Sequence, residues 1–383
     1  MKKHLIAAAT LATFAGAAFA APSVTLYGIV DTGLGYQHQK VTGQSSTDEL
    51  SMTSSVNETS RWGLKGEEKI GNTTVSFNLA DKFNTDDGTQ ADEDGRLFGR
   101  EAQVNVSGRY GTLLRLLQSL RVDLTAGRIG ALGSAIGTYD QIFAVGDAFD
   151  GGDWDVFGLA ATPVIDNSLT YQSPKFAGLQ LTAQYSFKSN SKADGTEGRS
   201  SADRYAGAAV NYENGNFQAV LGYEFIDRSS LDSAPITKDG QLVTLGGNYN
   251  FEGVAQVFAM GQYFRGWDEV AGQNYEDLGL TGKGLKGWGA HLGTIVPVAG
   301  GDLTAGLYYV DGETGDSAVE SGDKASADVQ YYGVAVRYVY PLSKRTSVYA
   351  GASYGQSKVK NAVAIDDTKT QTTSVYTGVS FKF

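Results

Sequence analysis

Fixed charges, not nucleophiles, are the residues of this sequence with chemistry to offer. Beyond residue 20 the histidines are His38 and His291. Neither has a carboxylate or nucleophile spaced to form a relay. No metal-ligand spacing and no phosphate-cradling glycine loop occurs. Between Arg128 and Pro163, however, lie Asp140, Asp147, Asp150, Asp153 and Asp155, with Phe143, Phe149, Trp154 and Phe157 among them. Arg61, Lys65 and Arg337 sit in segments of alternating polarity, and Arg128 sits where one such segment enters the acidic stretch. A basic wall facing an acidic loop would set up a transverse field. Such a field orients dipolar solutes and sets ion preference through charged rings. The plain alternative for each charge is a solvated surface group.

Those charges need a frame. The stretch from Arg128 to Pro163 has no sustained strand alternation and is too rich in glycine for a long helix. A structureless loop of that length does not suit a compact domain. It suits a wide, hollow wall into which the loop folds. The flanking segments supply the wall. Leu179, Leu181, Ala183, Tyr185 and Phe187 alternate with Gln180, Thr182, Gln184, Ser186 and Lys188. Phe217 to Phe225 and Tyr332 to Tyr340 repeat the period of two that a strand requires. Aromatics gather at the ends of these apolar rows and aliphatics in the middle, as a lipid-facing band with interfacial girdles would have them. A soluble sandwich also alternates, but the small, uncharged polar face suits a lumen better.

Composition agrees. The 383 residues include fifty glycines, six prolines, no cysteine, and twenty-one tyrosines with seventeen phenylalanines. Glycine is about twice its usual share in globular domains. The absence of cysteine leaves the redox compartment unreadable from thiols. Met1-Lys2-Lys3, the apolar run Leu5 to Phe19 and the small-x-small site Ala18-Phe19-Ala20 read as a secretory signal over 1–20, leaving 21–383 as the mature chain. Losing Lys2 and Lys3 takes the formal charge from −11 to −13, which does not suit nucleic acid as a partner. After residue 20 no apolar run is long enough for a membrane helix; strands of about ten residues remain able to cross.

Candidate strands begin near Val24, Ser60, Thr73, Leu97, Leu124, Ser168, Leu179, Arg204, Phe217, Gln241, Val254, Lys286, Leu303, Val329, Ser347 and Thr372. The fold expected is all-β: a transmembrane antiparallel β-barrel of about sixteen strands. Short turns at Gly71-Asn72, 174–177, Asn214-Gly215, Glu252-Gly253, 298–301 and 342–345 alternate with long polar loops near 39–59, 84–95, 188–203, 227–240, 266–285, 311–327 and 356–371. Parity on the second strand turns Trp62, Leu64 and Gly66 outward and Arg61, Gly63, Lys65 and Glu67 inward. The final strand ends on Phe383 and pairs with the first to remove both edges. The acids Asp86, Asp87, Asp92, Glu93 and Asp94 fall in an outer loop. They could meet divalent cations at a lipopolysaccharide layer, latch onto a neighbouring subunit, or stand solvated.

Val24 to Gly28, Ser60-Arg61-Trp62-Gly63-Leu64-Lys65-Gly66-Glu67-Glu68, Arg100 to Val104, Ala126-Gly127-Arg128, Asn167 to Pro174 and the terminal Phe383 occur in an order and spacing that resembles the trimeric general porins of Gram-negative bacteria, in the Neisseria, Bordetella and Comamonas branch. The resemblance covers essentially the whole mature chain. It implies a homotrimer of sixteen-stranded barrels in the outer membrane, in contact with lipid and lipopolysaccharide. In each barrel a third outer loop, about 129–162 here, folds inward to narrow a pore for small hydrophilic solutes and ions. It adds Arg100 to the basic wall, although Arg100 shares the parity of the outward row Ala102, Val104 and Val106. No cofactor is implied.

The chain departs from that pattern twice. Thr170 stands where such porins commonly carry an arginine of the basic cluster. Residues 113–123 form an insert with Leu113, Leu116, Leu117 and Leu120 at helical spacing, expected as a helical or irregular excursion at the periplasmic rim or as a lengthening of two strands. The function expected is general diffusion. The alternatives are an organic-anion channel, an adhesin or receptor barrel, and, in another class, an outer-membrane enzyme, for which two histidines offer almost no machinery.

Overall fold

The structure, a computed structural model, describes residues 23–91, 95–108, 122–134, 159–160, 164–231, 236–270, 272–278, 280, 282–314, 317–318, 324–360 and 367–383. The strands are β1 (Ser23–Val41), β2 (Thr47–Ser54), β3 (Arg61–Ile70), β4 (Thr73–Lys82), β5 (Glu101–Gly108), β6 (Val122–Gly130), β7 (Val164–Gln172) and β8 (Leu179–Ser186). After them come β9 (Arg204–Asn214), β10 (Phe217–Asp227), β11 (Gly240–Phe251), β12 (Ala255–Trp267), the short pair β13 (Glu269–Val270) and β14 (Gln273–Asn274), β15 (Leu285–Val298) and β16 (Gly301–Glu313). The chain ends with the short pair β17 (Ser317–Ala318) and β18 (Lys324–Ala325), then β19 (Asp328–Pro341), β20 (Thr346–Lys360) and β21 (Thr368–Lys382).

Setting the two short pairs aside, each long strand is antiparallel to its neighbour in the wall, and β21 returns to β1 from Ile29↔Lys382 to Val41↔Thr370. The sheet therefore closes. β2 pairs with the outer half of β1 and β3 with its inner half, so the two share one position and the wall has sixteen staves. Closure removes the long strand edges that could recruit another chain. The seam is tight. Gly28 and Phe383 exchange both backbone hydrogen bonds, at 3.1 and 3.0 Å. The Phe383 ring lies across Gly28, where a Cβ would come within 2.4 Å of the ring; only glycine admits that approach.

The period of two sorts the side chains. Leu181, Leu221, Leu245, Leu292, Leu307 and Val334 stand on the outer face, exposed by 42 to 60%. Aromatics flank them at both ends, with Tyr249, Phe251, Phe217, Tyr340 and Phe381 toward the short turns and Tyr185, Tyr223, Tyr263, Trp288 and Tyr332 toward the long loops. A surface apolar in a belt and edged by aromatics is a lipid-facing surface. Among the described residues no helix is long and apolar enough to cross a membrane; here the strands do it. The inner face is polar, with Thr125, Ser168, Thr182, Gln184, Thr244, Gln262, Thr304 and Ser374 all buried.

The dry core lies inside the bore, not between sheets. Ile129, Ala131, Ala160 and Ile165 pack with Leu242, Phe264, Trp267, Leu278, Leu285, Val310 and Val329. Chain ends leaving and entering the wall at 130 and 164 are thus bonded to its inside, over the arc from β9 to β20.

One expectation is corrected. Residues 39–59 are not a long polar loop: Thr47–Ser54 is a strand hydrogen-bonded to β1. Its polar composition hid it, because its ladder partners are supplied by a hairpin with β1 and it carries no long apolar row of its own. The insert 113–123 lies mostly outside the described residues; Val122 and Asp123 open β6.

Candidate functional site

The loop of about 129–162 is described only at its roots. Asp140, Asp147, Asp150, Asp153 and Asp155 lie outside the described residues. The roots are informative. At the first, Gln184 Nε2 donates to the Gly130 carbonyl at 3.0 Å, and the Leu132 N–H donates to Tyr205 Oη at 3.2 Å. Tyr205 Oη in turn donates to Glu224 Oε1 at 2.8 Å. Tyr205 and Glu224 are both buried on the inner face. At the second root, Gln262 Nε2 on β12 donates to the Ala160 carbonyl at 3.0 Å, and Leu159 packs on the cluster of Phe258 and Tyr308. β12 is five staves from β7, where the chain rejoins the wall. A backbone that touches β8, β9 and β12 from within has turned into the bore. Buried backbone groups need partners, and the amide and hydroxyl side chains of the inner face provide them.

The basic residues fall in different settings. Ladder register places Arg61 and Lys65 on the face that carries Tyr27, Asn78 and Gln103. Arg61 Nη1 donates to the Thr59 carbonyl at 3.1 Å. Lys65 is exposed, its Nζ 5.1 Å from the centroid of the Tyr27 ring, within cation–π range. Arg100 precedes β5 and is buried, its backbone N–H donating to the Ala80 carbonyl at 3.2 Å. Arg337 is buried on β19, and its Nη1 reaches the Asn57 carbonyl at 3.5 Å. The ladder also sets Lys82 opposite Arg61, a basic residue the alternation alone did not single out. Like charges set opposite one another weaken a sheet, so the pair is a cost that folding alone does not explain.

Arg128 is placed differently. The ladder slips between Gly127 and Ile129. Arg128 Nη1 lies 2.5 Å from Asp166 Oδ1, and its Nε donates to the Gly99 carbonyl at 2.6 Å. Asp166 Oδ2 also takes Arg96 Nη2 at 3.1 Å and the Ser191 N–H at 2.7 Å. Arg128 is thereby tied into a junction between outer loops.

Residues 55–60 hold a second feature that sequence reasoning missed. Between β2 and β3 they leave the wall. Asp31, fully buried on β1, accepts the N–H groups of Val56 at 3.1 Å and Asn57 at 3.4 Å on Oδ1, and of Glu58 at 3.1 Å on Oδ2. Tyr349 Oη donates to the same carboxylate at 2.7 Å. Asp31 in an apolar first strand was the available signal.

The described residues also shape the inner face of the wall from β4 to β7. There Asn78, Gln103, Asn105, Asp123, Thr125 and Gln172 line a recess of about 300 Å³. Asn78 Nδ2 donates to Glu101 Oε2 at 2.8 Å, and Asn105 Nδ2 to Thr125 Oγ1 at 2.8 Å. This wall is built of amides, hydroxyls and few charges, suited to water and polar solutes.

The histidines sit in structural settings. His291 is buried and stacks on Tyr308 with ring centroids 4.4 Å apart. His38 gains a carboxylate after all, Asp48 at 2.8 Å across the first hairpin, in an exposed pair. Among the described residues no three of His, Cys, Asp and Glu gather as a metal site. Asp87, in an outer loop, is occupied by its own turn: the Thr89 N–H and then the Thr89 hydroxyl hold its carboxyl below the usual range. Asp92, Glu93 and Asp94 of the same loop lie outside the described residues.

Comparison with known proteins gives one answer. The family described as Gram-negative porin matches residues 7–362. An outer membrane porin protein of Bordetella pertussis is 32% identical, with 100% of both chains covered. Outer membrane porin protein 32 of Delftia acidovorans is 29% identical over 99% of this chain and 95% of its own. Among solved structures, an anion-selective porin from Comamonas acidovorans is similar in fold, with a TM-score of 0.62 at 24% identity over 94% of this chain and 100% of the other.

Proposed function

The chain belongs to the Gram-negative porin family and is an outer-membrane channel; on that premise we propose that it works as a general-diffusion pore, passing small hydrophilic solutes and ions down their gradients. The observation that carries this reading is the bond from Gln262 to the Ala160 carbonyl, which commits the root of a long loop to the inside of a closed barrel. In this reading residues 129–162 narrow the bore, with Asp140, Asp147, Asp150, Asp153 and Asp155 as its acidic side. Arg61, Lys65, Arg100 and Arg337 form the basic side, joined by Lys82. Arg128 contributes by holding the loop's root to Asp166. Residues 1–20 are removed on export, three barrels assemble as a homotrimer, and the exposed apolar belt meets outer-membrane lipid and lipopolysaccharide.

Conductance in planar bilayers and swelling of liposomes in sugars of rising size test the reading together. Ohmic steps and a graded size cut-off are expected. A large barrel that holds a bilayer without conducting would refute it. A second reading, preference for small organic anions, is favoured by Lys82 standing opposite Arg61. It requires that one such anion block the current at low concentration while neutral sugars of the same size do not. We propose no catalytic role.

A further inference from the structure

The excursion at 55–60 is more elaborate than a connecting turn needs to be. It begins at Ser55 with φ of 65°, a left-handed conformation that L residues seldom adopt and that persists only where the surroundings hold it. It meets an acid, Asp31, buried in the wall of a membrane barrel. Three successive backbone N–H groups and a tyrosine hydroxyl are directed at that acid. Ser60 closes the loop by accepting the Asp31 N–H at 3.0 Å and donating to the Asp31 carbonyl at 2.9 Å. Successive N–H groups turned toward one anion make a nest. Here the anion belongs to the wall, and the nest is the object being held.

Its reach shows what is being held there. Val56 packs on Tyr349 and Tyr376, and the Asn57 carbonyl meets Arg337 on β19. From β1 the segment thus crosses the inner faces of β21 and β20 to touch β19. The described roots of the other inward loop, residues 129–134 and 159–160, meet the wall from β8 round to β19, through Gln184, Tyr205, Gln262 and the cluster of Phe258, Tyr308 and Ala335. Glu58 is the part of the segment that stays partly exposed. Its Oε1 lies 2.7 Å from Lys382 Nζ and its Oε2 accepts Ser380 Oγ at 3.0 Å. Glu58 borders a recess of about 390 Å³ that also holds Arg337, Lys344, Arg345, Lys382 and Asp302. In that mostly basic recess Glu58 is a countercharge.

We infer that residues 55–60 are a second constriction of the bore, separate from the 129–162 loop, with Asp31 as its anchor and Glu58 as the charge that limits anion entry. The inference takes the water-filled pore as given and adds a specificity-determining acid to it. A solute that clears the first narrowing meets Arg337, Lys344, Arg345 and Lys382, and Glu58 lowers the net positive charge of that stretch.

The chain has no cysteine, so E58C can be labelled singly, in the full barrel, with a cationic or an anionic methanethiosulfonate. A cationic label should lower the cation-to-anion permeability ratio roughly two-fold, the scale of one charge acting across about 10 Å of water. The anionic label should return the ratio toward the wild-type value. Wild-type channels that conduct while both reagents leave E58C unchanged overturn the inference and spare the pore reading. Wild-type barrels that do not conduct overturn the pore reading and the inference with it. Asp31→Ala tests the anchor: conductance should rise, and E58C in that background should lose its sensitivity to label charge. Asp31→Asn, which keeps one acceptor oxygen, should fall between, and it decides the point if D31A does not assemble. Equal conductance in D31N and wild type, with Glu58 still charge-sensitive, removes Asp31 from the role.

Discussion

Gln262 Nε2 stands 3.0 Å from the carbonyl oxygen of Ala160, a residue 102 positions earlier in the chain. The same amide group lies 3.2 Å from Thr244 Oγ1 on the neighbouring strand. One side chain therefore ties the second root of the inward loop to two staves of the wall. Gln262→Ala should leave the Ala160 carbonyl buried without this donor, at a cost of about 1–3 kcal/mol. The barrel should still form, because no ladder bond is lost. Single-channel records should show more frequent partial closures as the loop root loosens. Records indistinguishable from wild type would mean that the root is held by Leu159 packing alone.

The outer belt makes a second, independent expectation. Leu245 is 60% exposed and lies on the outer face beside Leu221. Thr244, one residue earlier, is buried on the inner face. An arginine at the bilayer midplane costs about 2–4 kcal/mol on a lipid-facing position of such a barrel. Leu245→Arg should therefore lower the denaturant midpoint of the folded barrel in lipid by an amount of that order. Arginine at an exposed inner position such as Lys65, which is already basic, should not. Equal tolerance at Leu245 would show that this row does not face lipid.

These two sites also mark what the sequence made readable. Leu179 to Phe187 carries an unbroken period of two and Phe217 to Phe225 one broken only at Val220, so existence and face of those strands could be read off. Thr47–Ser54 could not, because only Leu50 and Met52 mark its outer face and the rest is polar. Its partner is β1, and hairpin pairing is a property of the ladder. Lys82 was overlooked for the same reason: nothing in the sequence says that it stands opposite Arg61. Position alone puts Arg128 where its strand enters the acidic stretch, and it is a slip of the register after Gly127 that decides what its side chain meets. The inward run at 55–60 did leave a trace in Asp31. An acid in an apolar strand needs donors, and small polar residues such as Ser54, Ser55 and Asn57 turn readily to give them.

The acidic side proposed for the 129–162 loop can be tested by charge alone. Replacing Asp147, Asp150, Asp153 and Asp155 together by Asn removes four negative charges and changes little volume. The reversal potential in a salt gradient should move toward anion preference, because the basic residues on the wall are then unopposed. The shift should shrink as ionic strength rises and the screening length falls from about 10 Å at 0.1 M to about 3 Å at 1 M. An unchanged reversal potential at low salt would take this loop out of ion selection.

Asp166 is the hub of the outer-loop junction, taking Arg128 at 2.5 Å, Arg96 at 3.1 Å and Ser191 Oγ at 2.6 Å. The ion-paired side chains are largely shielded, at 17, 12 and 7% exposure for Arg128, Arg96 and Asp166. Removing one member of a buried pair strands the other and costs about 3–5 kcal/mol. Asp166→Ala leaves two guanidinium groups without this carboxylate, so the folded band on unheated gels should convert to the unfolded form at a lower temperature. Asp166→Asn should recover part of the loss through its remaining acceptor. Conversion at the wild-type temperature in both variants would show that the junction does not contribute to stability.

Gly127 offers the sharpest structural test, because it fixes where the wall ends and the inward loop begins. Its φ is 133°, and a Cβ there would lie 2.1 Å from the Ala102 carbonyl. The register slips at this residue, carrying Arg128 to Asp166 and Ile129 into the dry cluster beside Ile165. An L residue held at such a φ costs about 1–3 kcal/mol, and the contact with Ala102 adds to it. Gly127→Ala should therefore either destabilise the barrel by that order or push the slip along the strand. The first outcome shows as a lower conversion temperature. The second shows as changed conductance, since the root at Gly130 and Leu132 would no longer meet Gln184 and Tyr205. A variant with wild-type stability and wild-type conductance would mean that the slip is not needed to send the loop inward.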